Sequence, residues 1–397
     1  EGKAFVYHGS REGLSPIANW DKGGDQESAW FGHSVGTAGD VNGDGYSDVI
    51  VGAPNYSTSA AAAGRVFVYH GSPSGLNTDF NWDEEISLGN SWFGWSVGTA
   101  GDINGDGYSD VIIGIPKLDA IDTDRGAVYI AEGSSSGLIS PGLTLHGDSA
   151  GDEFGCSVGT AGDVNGDGYA DVVIGAWLYT NGQSNEGKAY CIHGSDSLSG
   201  GAYDWTIEGS LANAGFGVCI ASAGDVNGDG YADVIAGAPG FSNGETGEGG
   251  AFLFYGNGGR GDNLVPRQMC VNVDTPISLL GKSNHWSNFQ ISVWGNTPFG
   301  RGKARLEWEV KPLGTLFDGN NTYKTAVWVD TNTLFSEISV TAAAPDNQIP
   351  CHWRARLLYN PACVPFQQRS RWLAIPWNGW QEGDLRVSKT VRSFILY

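Results

Sequence analysis

Asp40-Val41-Asn42-Gly43-Asp44-Gly45-Tyr46-Ser47-Asp48 is the stretch from which the fold can be read. The pattern returns at residues 102–110, 163–171 and 225–233, with starts 62, 61 and 62 residues apart. Each copy sets oxygen-bearing side chains at its first, third, fifth and ninth positions and glycine at its sixth. These are Asp40, Asn42, Asp44 and Asp48; Asp102, Asn104, Asp106 and Asp110; Asp163, Asn165, Asp167 and Asp171; and Asp225, Asn227, Asp229 and Asp233. The seventh residue, Tyr46, Tyr108, Tyr169 or Tyr231, would add its backbone carbonyl. Alternate oxygens on a sharply turned loop suit a hard cation, and calcium takes six to eight of them. Three carboxylates within one short loop repel one another unless a cation lies between them. The expectation is four Ca²⁺ sites, one per copy.

The loop matches only the first half of an EF-hand, which needs a bidentate glutamate at its twelfth position. Here that position holds Val51, Ile113, Ile174 or Ala236. Val49-Ile50-Val51 after the loop and Ser34 to Ala38 before it read as strands, so the loop joins two strands of a sheet. Around it the repeat has a fixed order. A Phe-Gly pair precedes each loop: Phe31-Gly32, Phe93-Gly94, Phe154-Gly155 and Phe216-Gly217. Gly52-Ala53-Pro54, Gly114-Ile115-Pro116, Gly175-Ala176-Trp177 or Gly237-Ala238-Pro239 follows. A further strand comes next, as in Gly64-Arg65-Val66-Phe67-Val68-Tyr69. A fourth is expected near Ile17 to Trp20, Phe80 to Trp82, Leu143 to His146 and Tyr203 to Ile207. Four short antiparallel strands in a unit of this length fit a propeller blade.

The Phe-Gly and Gly-Ala-Pro pairs bracketing Asp-x-Asn-x-Asp-Gly-Tyr-x-Asp resemble the FG-GAP repeats of the integrin α-subunit propeller and of many bacterial surface proteins. The resemblance covers roughly residues 1–260. It implies an all-β fold, an FG-GAP β-propeller with calcium in blade hairpins on one face. Gly114-Ile115-Pro116 and Gly175-Ala176-Trp177 depart from the pattern, which bears on strand ends and not on the ligands. The integrin-like propeller has seven blades, which at this repeat length needs about 430 residues. Residues 1–261 hold four metal-loop blades and a leading half-blade. Upstream sequence, or a strand from a neighbouring chain, would cover the open edge.

Charge divides the chain in the same place. Residues 1–261 carry 8 basic and 34 acidic residues, whereas 262–397 carry 14 and 10. Much of that acidity is the loop aspartates, and the field disfavours nucleic acid. No apolar run reaches the length of a membrane span. Six cysteines are too few for a disulfide scaffold. Cys156, Cys191 and Cys219 read as small core residues. A strand from His352 to Tyr359 would separate Cys351 from Cys363, so Cys270 with one of these two is the better pairing. Calcium loops of this kind fill where calcium is abundant, so the setting is extracellular or cell-surface, for a secreted protein.

Residues 258–264 read as a linker, and the expected domains are 1–261 and 262–397. Arg260-Gly261-Asp262 spells a tripeptide that integrins bind, which a glycine-rich linker also produces by chance. The second part loses the repeat. Its strands are expected at Phe289 to Trp294, Ala304 to Val310, Tyr323 to Asp330, Glu337 to Ala342, His352 to Tyr359, Ser370 to Ile375 and Leu385 to Tyr397. About seven strands suggest a fibronectin- or Ig-like β-sandwich, with Trp308 and Trp353 facing inward. His352 to Tyr359 resembles a late strand of a fibronectin type III-like module. Trp372 to Trp380 is rich in tryptophan and reads as core or edge packing, or as a docking or sugar-stacking surface.

No nucleophile elbow, zinc-protease helix or phosphate loop is present. His8, His70 and His193 hold equivalent repeat positions, and the recurring carboxylates are assigned to metal. The expectation is therefore not an enzyme. It is a calcium-binding surface adhesion module whose partner is a protein or carbohydrate at the cell surface. The alternative is a structural subunit that binds copies of itself head to tail in a filament or surface layer.

Overall fold

In a computed structural model, the chain is described over residues 2–10, 13–57, 60–165, 167, 169–198, 203–224, 226 and 231–256. In the second part the described residues are 266–272, 277, 281–283, 285, 287–295, 302–312, 315, 317–331, 336–344, 351–361, 369–370 and 385–386. All regular structure among them is β.

Blade one runs Ser34–Gly39, Asp48–Ala53, Arg65–Tyr69, Trp82–Glu85, each strand antiparallel to the next. Blade two (Ser96–Gly101, Asp110–Ile115, Ala127–Ala131, Leu143–His146) repeats that order. So does blade three, with Ser157–Gly162, Asp171–Ala176, Lys188–Ile192 and Trp205–Glu208. Blade four has Cys219–Gly224, Asp233–Ala238 and Gly250–Phe254. Ahead of them Lys3–Val6 pairs with Trp20–Gly23, the outer half of a blade. Inner strands of consecutive blades lie side by side. The departures at Gly114-Ile115-Pro116 and Gly175-Ala176-Trp177 leave the strand ends where blade one has them. Three of the four outer strands lie later than expected, at Trp20–Gly23, Trp82–Glu85 and Trp205–Glu208.

The Phe-Gly and Gly-Ala-Pro pairs meet across blade boundaries, which explains why both carry glycine. A Cβ on Gly52 would lie 2.1 Å from the Gly94 carbonyl oxygen, one on Gly114 2.0 Å from that of Gly155, and one on Gly175 1.9 Å from that of Gly217. No side chain fits in such a contact. The Gly94 N–H in turn donates to Gly114 O at 3.2 Å within its own blade, and Gly155 N–H to Gly175 O at 3.0 Å. The phenylalanines fill the seams: Phe93 and Phe154 are fully buried, edge-on to Tyr129 and Tyr190. Burial of such rings is the main stabilising term for each blade pair.

The second part is a β-sandwich. Pro266–Met269, Asn288–Gly295 and Ser336–Ala343 form one sheet. Lys303–Pro312 and Cys351–Tyr359 form the centre of the other, flanked by Gly281–Lys282, Leu385–Arg386, Tyr323–Lys324 and Val329–Asp330. One core joins them, with Phe289, Ile291 and Ile338 facing Leu306, Trp308, Trp353 and Leu357. Trp353 is fully buried and Trp308 is 8 % exposed. Pro266–Met269 and Gly281–Lys282 are strands the sequence reading omitted. The strand expected from Tyr323 to Asp330 is two short pieces, Tyr323–Lys324 and Val329–Asp330. Ser370 is not in a strand, and 371–384 and 387–397, with the tryptophan-rich run and Cys363, lie outside the described residues. Cys270 packs against the core that contains Cys351. Arg260-Gly261-Asp262 is likewise outside them.

The alternate face of the second sheet is charged yet also covered. Arg354 Nε and Nη2 lie 2.8 and 2.6 Å from Glu309 Oε2, and Glu309 is fully buried. Arg356 holds Glu307 in the same way at 2.6 Å. Phe317 and Trp328 lie beneath the guanidiniums of Arg354 and Arg305, at 4.8 and 4.4 Å. Paired and hydrogen-bonded charges can be buried there, whereas an unpaired one could not.

Candidate metal centre

Loops one to three each close the hairpin between the first and second strands of their blade, so they stand at the same end of those blades, and the strands that flank loop four pair in the same way. In loop one the oxygens curl over the loop's own amides. Asp40 accepts the N–H of Asp44 and of Gly45 at 3.0 and 2.8 Å. Asn42 Oδ1 accepts the Asp44 N–H at 2.9 Å, and Asp44 Oδ1 accepts the Tyr46 N–H at 2.9 Å. Loop two repeats this: Asp102 accepts from Gly107 at 2.9 Å, Asn104 from Asp106 at 3.0 Å and Asp106 from Tyr108 at 3.0 Å. In loop three Asp163 and Asn165 accept from Asp167 at 3.2 and 2.9 Å, and Asp167 from Tyr169 at 3.0 Å. Asp225, Asn227 and Asp229 of loop four lie outside the described residues.

The ninth-position aspartate behaves differently. Asp48, Asp110, Asp171 and Asp233 are fully buried at the base of their loops. Asp48 accepts the Val41 N–H at 2.9 Å and the Gly71 N–H at 2.8 Å. Ile103 and Gly133 serve Asp110, Val164 and Gly194 serve Asp171, and Val226 and Gly256 serve Asp233. This carboxylate therefore ties the loop to the end of the third strand of the same blade. Among the described residues no three His, Cys, Asp or Glu side chains are gathered at metal-ligating separation.

The electrostatics are those of crowded anions. Burial pushes the Asp48 carboxyl up to about 7, with Asp40 and Asp44 adding to the shift against two backbone hydrogen bonds. Burial first, then neighbouring loop aspartates, holds Asp110 and Asp171 well above the usual carboxylate range. Asp40 is raised for the same reasons. A group of oxygens that resists its own ionisation, with no nitrogen or sulfur in the set, suits a hard cation, whose charge would reverse that trend.

Consecutive loops are coupled. Ser109 N–H donates to Asp40 O at 3.0 Å, and its hydroxyl oxygen accepts the Asp40 N–H at 3.1 Å. Ala170 and Ala232 donate in the same way to Asp102 and Asp163. The Tyr108 ring lies against Gly43, where a Cβ would come within 2.7 Å of it. His8, His70 and His193 share one position: each backbone N–H is capped, at 2.8 Å, by Asn19, Asn81 or Asp204. His70 Nδ1 also lies 3.2 Å from the Asn42 amide nitrogen.

The opposite end of the inner strands carries a feature the sequence reading passed over. Residues flanking Phe-Gly in blades one and two form an aromatic strip. Trp92 and Trp95 stack with centroids 4.9 Å apart, His33 lies 4.4 Å from Trp95, and Trp30 lies 6.5 Å from Trp92. Trp30 is 45 % exposed. Lys117 lies 5.9 Å over Trp92 and pairs with Glu153, which also accepts the Trp177 indole N–H at 2.8 Å. The readable signal was Trp-Phe-Gly-His and Trp-Phe-Gly-Trp in adjacent repeats.

A family model described as FG-GAP repeat matches residues 31–69, 93–130, 154–190 and 220–254. Similar proteins include integrin alpha-4 of Xenopus laevis, 37 % identical over 183 residues, which are 45 % of this chain and 17 % of that protein. Integrin alpha pat-2 of Caenorhabditis elegans is 32 % identical over 226 residues, covering 52 % and 18 %. Integrin alpha-V of Gallus gallus is 30 % identical over 221 residues, covering 53 % and 20 %. The chain thus matches a fifth or less of the length of these relatives.

Proposed function

We propose, from the premise that this chain is an FG-GAP repeat protein of the integrin-α type, that it is an extracellular adhesion module whose blades are held rigid by calcium. The observation that carries this reading is the row of oxygen-only loops, one per blade, hydrogen-bonded to one another at a single end of the structure. Asp40, Asn42 and Asp44 would hold the ion in loop one with the Tyr46 carbonyl, and Asp48 would anchor the loop and complete the set. The same roles fall to the corresponding residues of loops two, three and four. A bound cation would neutralise the crowded carboxylates and stiffen the loop-to-loop contacts. The chain is divided as 1–261, blades, and 262–397, sandwich.

The exposed indole of Trp30 and the half-buried indoles of Trp92 and Trp95, at the end away from the loops, are the surface offered to a protein or carbohydrate partner. Flat amphipathic rings give large contact area at little cost in side-chain entropy. Head-to-tail self-assembly is the second reading, favoured by the strong acidity of the blade half against the basic excess of the sandwich half.

Calcium withdrawal is the test. Thermal melting of the full chain with calcium and with a chelator should show the blade transition falling by more than about 10 °C. Unchanged melting, together with no calcium by elemental analysis, would sink the proposal. Electron microscopy of the native material separates a dispersed module from ordered filaments.

A further inference from the structure

The four loops are alike in sequence but not in surroundings. Loops one and two share a cavity of about 210 Å³ with the end of the sandwich. Asp40 contributes from the first loop and Asp102 and Asp106 from the second, and Gly302, Lys303 and Asp330 close it from the other side. Lys303 is exposed and Asp330 half-buried. They are register partners on neighbouring strands. The strand ends that carry them are clasped, because Gly302 N–H donates to Thr331 Oγ1 at 3.0 Å and Thr331 N–H to Gly302 O at 2.8 Å. The strand end that carries Lys303 is therefore fixed, and this lysine lines the same cavity as Asp40, Asp102 and Asp106.

We propose that Lys303 is a built-in counter-ion for loops one and two, so that cation binding there and seating of the sandwich on the loop face oppose each other. This rests on the reading of the loops as cation sites. With three carboxylates in each loop, the face attracts an ammonium strongly; a divalent ion in each loop removes most of that attraction and is itself repelled by Lys303. Linkage makes the effect reciprocal: whatever Lys303 costs the cation, the cation costs the docking of Lys303. The propeller half and the sandwich half are then coupled through two loops and not through all four. The overall charge asymmetry, acidic blades against a basic sandwich, acts in the same direction.

Calorimetric titration of the full chain with calcium chloride tests this. In Lys303→Gln, two of the calcium ions should bind about threefold more tightly than in the parent, the remainder unchanged. Lys324→Gln is the control, since Lys324 pairs with Glu307 on the sandwich at 3.4 Å, outside the cavity. Hydrogen exchange on the parent chain gives a second readout: the Gly302 and Thr331 amides should exchange faster when calcium is added. If calcium binds but Lys303→Gln titrates like the parent, or those amides are indifferent to calcium, the inference falls and the loop reading stands. If calcium binds to none of the chains, both fall.

Discussion

The blades and the sandwich are both antiparallel β-structure, but they are held together by different means. Among the described residues the blades have no single core. Their buried residues fall into separate clusters, each at a seam between neighbouring sheets. The seams close because glycine faces glycine across them. The sandwich has one contiguous core reaching from Phe289 to Trp353, backed by paired charges on the far side of one sheet. The contrast teaches that damage to a blade should be felt by its neighbours alone, whereas damage to the sandwich should be felt throughout it.

The hardest test of that contrast is Trp353→Ala. It removes the largest fully buried side chain among the described residues, together with the indole hydrogen bond to Gln268 at 3.1 Å. A loss of about 3–5 kcal/mol is expected, confined to the sandwich. Thermal melting should then separate into two transitions, the blade transition keeping its midpoint. A single transition shifted as a whole would show the two halves to be one cooperative unit.

Gly114→Ala probes a seam. The new methyl would fall 2.0 Å from the Gly155 carbonyl oxygen, which is backbone and cannot swing aside. We expect a loss of about 2–3 kcal/mol, with exchange-measured opening of blades two and three and little change in the sandwich. Gly182→Ala has open space at Cβ but positive φ, and should cost only about 1 kcal/mol. Equal losses at the two positions would remove the seam as the explanation.

The smallest effect concerns pH. Burial raises the Asp152 carboxyl to about 6, with Asp148 adding to the rise and a hydrogen bond from Ser149 and the charges of Lys188 and Arg125 opposing it. The folded chain thus keeps a proton that the unfolded chain has released, so stability falls as pH rises from about 4 to 6. Asp152→Asn should stabilise blade two by about 1 kcal/mol above pH 6 and not at all below pH 4. Urea titrations at pH 4 and pH 7.5 would decide it; a variant no more stable at the higher pH contradicts the assignment.

What the sequence made legible is what repeats. The Phe-Gly pairs, the strands around them and the first three Asp-x-Asn-x-Asp-Gly turns lie where the spacing placed them, because each is buried or turned. The outer strands were placed early at Trp20, Trp82 and Trp205, since segments such as Trp82-Asp83-Glu84-Glu85 sit at a solvated edge with little apolar alternation. Tyr323 to Asp330 reads as one strand by composition. Thr325 instead uses its N–H and hydroxyl to clasp Leu306 at 2.9 and 3.1 Å, and Trp328 turns under Arg305. The tertiary contact overrides the propensity. The Trp30–Trp95 strip is illegible for the opposite reason to the loops. The flanks of Phe-Gly are tryptophan and histidine in blades one and two, but Glu153 and Cys156, then Gly215 and Val218, in the next two. A comparison of copies averages such positions away, and they are where one blade can differ from another.

The glycine contact across each seam also sets the frame in which this architecture can be edited. Gly52 belongs to the second strand of blade one, yet the backbone that covers it, Gly94, is reached only when the chain has begun blade two. A segment excised at the sheet boundary, after Glu85, would leave the first sheet with its seam torn open. A segment that runs on through Trp95 would carry its own closure. Shuffling, duplicating or transplanting these units should therefore succeed with cuts placed just inside the next sheet, so that the portable module is a sheet together with the first clasp of its successor.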